Sequence, residues 1–271
     1  MTNLSSVAAD EASKGSNSHS MWSSRMAFIL AASGSAVGLG NIWKFPYITG
    51  ENGGGAFVLM YLLCIAIVGV PIMIAEVVIG RRGGKSPLNS MRELITSDRL
   101  SSRWKWLGGM GMLASFLILS FYSVIGGWAL SYVGASASGA FAGASTEAIG
   151  AMFGNLLGDP TRLLMWHSLF MLLVITIVSR GIRSGMEKAI NILMPLLFAL
   201  LLVMVGYAMS TDKFAAGFAF LFSPDLSKLT TEGMLTALGH AFFALSLGMG
   251  VMMAYGSYLP KDVSIVKTAV T

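Results

Sequence analysis

Six apolar stretches, near residues 26–49, 55–80, 106–138, 163–179, 189–209 and 232–259, constrain this chain more than any single motif does. Each runs to roughly 20 residues or more, enough for a helix to cross the hydrocarbon of a bilayer, where the backbone must satisfy its own hydrogen bonds. Charged residues make up 11% of the chain, against roughly 25% in a soluble domain, and water is not the solvent this composition suits. The fold class expected is an all-α membrane protein of about six transmembrane helices over 22–259. A polar tail precedes them over 1–21, and the start of a loop over 260–271 follows, where the chain reads as truncated.

The net charge of +5 would suit a nucleic-acid partner only if the basic residues clustered on one soluble face. They segregate by loop instead. With the N-terminus inside, 14 of the 18 Lys and Arg residues are cytoplasmic, and the opposite side has only Lys44, Arg162, Lys213 and Lys228. That asymmetry is the positive-inside pattern and predicts a multi-pass protein of the cytoplasmic (inner) membrane with no nucleic-acid partner. The first apolar run is too long for a signal peptide and lacks a cleavage site, so the tail is expected to be retained.

The basic loop from 81 to 105 reads as a cytoplasmic connection with a short interfacial helix, and Trp104 and Trp106 are expected at headgroup level. Gly134 to Gly158 is rich in small residues and reads as an outer segment, either ordered or flexible. Pro195 predicts a kink in the fifth helix. Cys64 is the only cysteine, which excludes a disulfide within the chain and a Cys-based metal site. No nucleophile–base pair, metal-ligand spacing or phosphate loop stands in a suitable context, and the glycines of 34–40 follow no strand, so neither an enzyme nor an organic cofactor is expected.

The chemistry concentrates in two interrupted helices. In the first, Gly34 and Gly38 alone would read as a GxxxG packing pair. Gly40, Asn41 and Pro46 follow at membrane depth, and each interior glycine costs about 1 kcal/mol of helix stability. A break there would free carbonyls for a cation. In the sixth, His240 to Gly250 again sets a serine, Ser246, and two close glycines in mid-membrane. Two Gly-interrupted helices in corresponding positions point to a midplane site of half-helix ends.

Ser33-Gly34-Ser35-Ala36-Val37-Gly38-Leu39-Gly40-Asn41-Ile42-Trp43-Lys44-Phe45-Pro46, followed by Glu51-Asn52-Gly53-Gly54-Gly55-Ala56-Phe57, resembles the neurotransmitter:sodium symporter family, its bacterial leucine-type members above all. Gly69-Val70-Pro71, Glu76, Phe121-Tyr122-Ser123, Trp128 and Phe222-Ser223-Pro224-Asp225 extend the resemblance over roughly 20 to 260. It implies an inverted-repeat fold with helices one and six broken, and a sodium-coupled amino-acid symporter working by alternating access. One sodium ion would be held by the Ala36 and Ala244 carbonyls and the Asn41 side chain, and a second by the Gly34 and Val37 carbonyls. Both sites are expected to be incomplete here, because relatives draw further ligands from helices seven and eight.

By the same resemblance, the substrate carboxylate would meet the Leu39 and Gly40 amides and the Tyr122 hydroxyl. The ammonium would meet the Ala36, Phe243 and Ala244 carbonyls and Ser246. Ile118, Tyr122, Phe243 and Met249 would line the side-chain pocket. Glycine at position 38, where amine transporters of the family carry aspartate, favours amino acids. Lys44 would be an outer gate cation, though snorkelling alone explains a lysine there. Trp22 and Arg25 would form an inner gate, with His19 where an arginine is usual.

Ala244 and His240 depart from the hydroxyl residue and the glutamine common in the family, which argues against chloride dependence, while protons remain an alternative driving ion. His240 reads as a packed neutral histidine before a proton-sensitive one. Glu76 would cost about 3 kcal/mol facing lipid, so it is expected to turn inward and brace the broken helices. The expected partners are an amino acid, sodium ions, the lipid bilayer and, as an option, a second copy of the chain. The competing reading is a truncated or transport-incompetent membrane fragment or scaffold.

Overall fold

The computed structural model describes residues 22–260 and 262–270. The expected tail over 1–21, including His19, lies outside the described residues. Thirteen α-helices run in chain order among the described residues. They begin with α1 (Arg25–Ala36), α2 (Phe45–Glu51), α3 (Gly55–Cys64) and α4 (Val70–Gly83). Next come α5 (Pro87–Ser97), α6 (Lys105–Ala137), α7 (Thr146–Leu157), α8 (Pro160–Val178) and α9 (Lys188–Met209). The last are α10 (Phe214–Phe222), α11 (Thr231–Ala244), α12 (Val251–Ser257) and α13 (Ile265–Val270).

Among the described residues, four continuous helical runs are long and apolar enough to cross a membrane: Gly55–Gly83, Ser102–Ala137, Pro160–Val178 and Ile182–Met209. A fifth span is bent, with Arg25–Ala36 and Gly40–Glu51 meeting at 49°. The sixth apolar stretch is cut into α11, of 14 residues, and α12, of 7, so neither piece reaches a span's length alone. The described residues are thus all-helical in class, with the first and sixth expected spans broken and the other four continuous.

Local chemistry explains where the helices start and stop. Asp159 caps α8, its Oδ1 accepting from the Thr161 and Arg162 amides at 3.0 Å, with Pro160 in the first turn where no N–H is needed. Ser145 caps α7 in the same way, so the small-residue segment after α6 is an ordered turn and helix. Gly84, at φ 60°, ends α4 in the left-handed conformation. In the loop between α10 and α11, hydrogen bonds from the Ser227 hydroxyl and amide hold the Asp225 carboxyl below the usual carboxylate range. Helix α9 runs from Lys188 to Met209 with Pro195 inside it, and five residues of π-turn at Ile65–Gly69 join α3 to α4.

Helices approach closely where glycine removes the side chain. A Cβ on Gly80 would overlap the Met253 carbonyl, and one on Gly256 would come within 2.6 Å of the Val77 carbonyl, so α4 and α12 touch backbone to backbone. Gly127 of α6 rests on the His167 backbone of α8 in the same manner. Trp22, Phe28, Val77, Met252 and Leu259 form a buried cluster at one end of the bundle, and Ile48, Phe57 and Ala237 form another near α2. Helices α8 and α9 expose Leu164, Leu172, Ile192 and Leu202, as suits hydrocarbon surroundings, while Trp104 and Trp106 are exposed beside the basic loop.

Candidate functional site

Both breaks open onto one cavity. In the first, Val37 leaves the helix at φ −90°, ψ 91°, and the chain re-enters helical geometry through a π-turn over Gly40–Lys44. The Asn41 and Ile42 amides both donate to the Gly38 carbonyl, at 3.0 and 3.1 Å. In the second, Leu245 to Gly250 forms turns between α11 and α12, with Ser246, Gly248 and Gly250 at φ 55°, 74° and 73°. Serine in the left-handed region is strained, and glycine is the residue that takes such angles without penalty.

Two side chains from other helices hold the second break. Glu76 of α4, 5% exposed, accepts from the Gly248 amide at 2.7 Å. Ser115 of α6 donates to the Met249 carbonyl at 2.6 Å. The expectation that Glu76 turns inward to brace a broken helix matches this contact. Glu76→Ala removes the acceptor of a buried amide and is expected to cost about 1–3 kcal/mol, whereas Glu76→Gln keeps it. Thermal unfolding in detergent checks this, and equal stability of parent and Glu76→Ala would contradict it.

The cavity between the breaks encloses about 180 Å³ and is lined by Gly34, Ser35, Ala36, Gly38, Gly40, Ile118, Tyr122, Phe243, Ala244, Ser246 and Met249. No lining residue is charged. Of the expected substrate residues it gathers all but Leu39, which lines a wider cavity of about 520 Å³ with Trp43, Lys44, Phe121 and His240. Gly40, Tyr122 and Phe243 line both and form the partition. The Tyr122 hydroxyl lies against the Gly40 amide, and the Tyr122 and Phe243 rings are 6.0 Å apart.

Of the expected sodium ligands, Gly34, Ala36 and Ala244 line the smaller cavity, and Val37 and Asn41 adjoin it in the chain. Asn41 Nδ2 donates to the Ala36 carbonyl at 2.6 Å, which leaves Asn41 Oδ1 buried without a hydrogen-bond partner. A buried orphan acceptor beside a carbonyl is the kind of atom a hard cation satisfies. His240 stacks on Phe45 at 5.4 Å and borders Tyr61 and Phe243, the packed arrangement of an aromatic. Its Nε2 is buried without a hydrogen-bond partner.

The expected inner-gate residues are both engaged. Trp22, 1% exposed, donates from its indole to the Tyr255 carbonyl at 3.2 Å and from its amide to the Tyr258 carbonyl at 3.1 Å. Arg25 binds the Thr268 hydroxyl and the Lys267 carbonyl. Ser23 adds contacts from its amide and hydroxyl to Glu187, the amide bond being 3.2 Å. Ser35 and Ser115 escaped the sequence reading. Ser115 precedes Ile118 by three residues on one helix face, so that spacing was the available signal.

A family model described as the sodium:neurotransmitter symporter family matches residues 19–149 and 155–271. The uncharacterized sodium-dependent transporter YhdH of Bacillus subtilis is 41% identical over 248 residues, covering 92% of this chain and 54% of that protein. The sodium-dependent neutral amino acid transporter B(0)AT2 of Bos taurus is 28% identical over 275 residues, covering 89% of this chain and 36% of that protein. The crystal structure of MhsT in complex with L-phenylalanine superposes with a TM-score of 0.84 at 47% identity, covering 93% of this chain and 56% of that one. The chain spans about half the length of the bacterial and archaeal relatives it matches.

Proposed function

The chain belongs to the sodium:neurotransmitter symporter family, and from that membership we propose that its fold serves sodium-coupled symport of a neutral amino acid across the cytoplasmic membrane, with the N-terminus inside. The family is one of transporters, not enzymes. The observation that carries the reading is the uncharged cavity between two broken helices. A zwitterion there would be held by peptide dipoles, its carboxylate at the Leu39 and Gly40 amides and Tyr122, its ammonium at the Ala36, Phe243 and Ala244 carbonyls and Ser246. Leu39, which lines the wider cavity, would turn its amide toward this one. Ile118, Phe243 and Met249 suit an apolar side chain, and the likeness to MhsT with L-phenylalanine supports an aromatic or aliphatic substrate.

Sodium would bind as co-substrate. With its carboxamide turned over, Asn41 would direct Oδ1 at the same point as the Ala36 and Ala244 carbonyls, and a second ion would draw on the Gly34 and Val37 carbonyls. These are hard oxygen donors, and no group of three or more His, Cys, Asp or Glu among the described residues could hold a metal instead. Lys44, Trp22 and Arg25 would gate the two ends.

The purified chain is expected to bind L-phenylalanine in sodium and not in potassium, and equal binding in both would overturn the reading. Asn41→Ala is expected to weaken sodium-dependent binding by roughly tenfold to a hundredfold, the worth of one polar contact to a charge. A second reading is a membrane scaffold without transport. Uptake of radiolabelled phenylalanine into proteoliposomes separates the two.

A further inference from the structure

Side chains in mutual contact lead from the central cavity to Trp22. At the cavity, Ser246 Oγ lies 3.2 Å from Ser35 Oγ and donates to the Ser35 carbonyl at 3.4 Å. The Tyr255 hydroxyl is within hydrogen-bonding reach of the Ser35 side chain. The Tyr255 carbonyl in turn accepts the Trp22 indole N–H, and the two rings meet edge to face with centroids 5.7 Å apart. Ser35 lies in the last turn of α1 and touches both the cavity and the residue that holds Trp22.

We propose that Ser35 is a positioning residue that couples occupancy of the central cavity to closure of the Trp22 end, an inference that rests on the reading of that cavity as an amino-acid site. A serine hydroxyl carries one proton and two lone pairs, so the Ser35–Ser246 pair can point either way. An ammonium donating to Ser246 Oγ commits the Ser246 proton to Ser35. Ser35 then directs its own proton toward Tyr255, and each bond polarises the next in the low-dielectric interior. Substrate thereby selects one orientation of these hydroxyls and fixes the Tyr255 ring that packs edge to face on Trp22.

Thiol labelling of Ala32→Cys tests this in the full chain, in a Cys64→Ala background. Ala32 lines an apolar cavity of about 150 Å³ with Phe28, Met252 and Leu259, between the central cavity and the Trp22 end. Without substrate, Ser35→Ala is expected to speed labelling about fivefold, the loss of one buried hydrogen bond. Tyr255→Phe, which keeps the ring against Trp22, is expected to do the same and serves as the deciding variant if Ser35→Ala does not fold. Sodium with L-phenylalanine is expected to slow labelling in the parent and to change it less than about twofold in either variant. Labelling rates that match the parent's with and without substrate would overturn the role of Ser35. A parent that fails to bind phenylalanine in sodium would overturn the proposed function instead, and the substrate-free comparison would still judge Ser35.

Discussion

Gly38→Asp is expected to abolish binding of L-phenylalanine while leaving the fold intact. A Cβ added at Gly38 meets nothing within 4 Å, and the residue lines the central cavity, so the new carboxylate has room. Its effect is therefore electrostatic. Two like charges about 4 Å apart at an effective dielectric of 20 repel by ~4 kcal/mol, which lowers affinity roughly a thousandfold. Phenethylamine, which lacks the carboxylate, is expected to lose far less affinity. Binding titrations of both compounds with parent and variant check this, and unchanged phenylalanine affinity would move the substrate site away from the two broken helices.

Gly80→Val is expected to be the most damaging single change to the fold. Even a methyl at that position overlaps the Met253 carbonyl, which belongs to backbone and cannot rotate away. Overpacking costs typically 1–3 kcal/mol, and occasionally more where backbone must shift. The larger side chain would push α12 off α4 and carry Gly248 to Gly250 away from Glu76 and Ser115, so ligand binding would fall with stability. Thermal unfolding of the purified variant, set against Met73→Leu on the same helix as a volume-conserving control, measures the loss. A melting temperature equal to the parent's would mean that the close α4–α12 contact is not required.

Much of the architecture was legible because a bilayer leaves so few choices. Apolar length placed the spans, and the continuous helices over Gly55–Gly83, Ser102–Ala137, Pro160–Val178 and Ile182–Met209 fall within a few residues of the stretches at 55–80, 106–138, 163–179 and 189–209. Glycine spacing around residues 38 and 248 located both breaks, since a helix in lipid is interrupted only where something else satisfies the backbone. The small-residue segment after α6 turned out to contain a helix that Ser145 caps, a local signal that the sequence offered.

The sequence by itself determined the solvent, the helical class, the positions of the two breaks and the family. Only the tertiary structure decided which atoms answer those breaks: Glu76 on the Gly248 amide across 172 residues, Ser115 on the Met249 carbonyl across 134, and Ser35 on Ser246 across 211. It also decided that Leu39 lines the wider cavity alone while its neighbour Gly40 borders both. The reason is physical. Hydrophobic length and glycine content act on each segment alone, whereas a hydrogen bond between distant segments depends on how the helices pack, and that packing is set by contacts such as Gly80 on Met253 that no local pattern encodes.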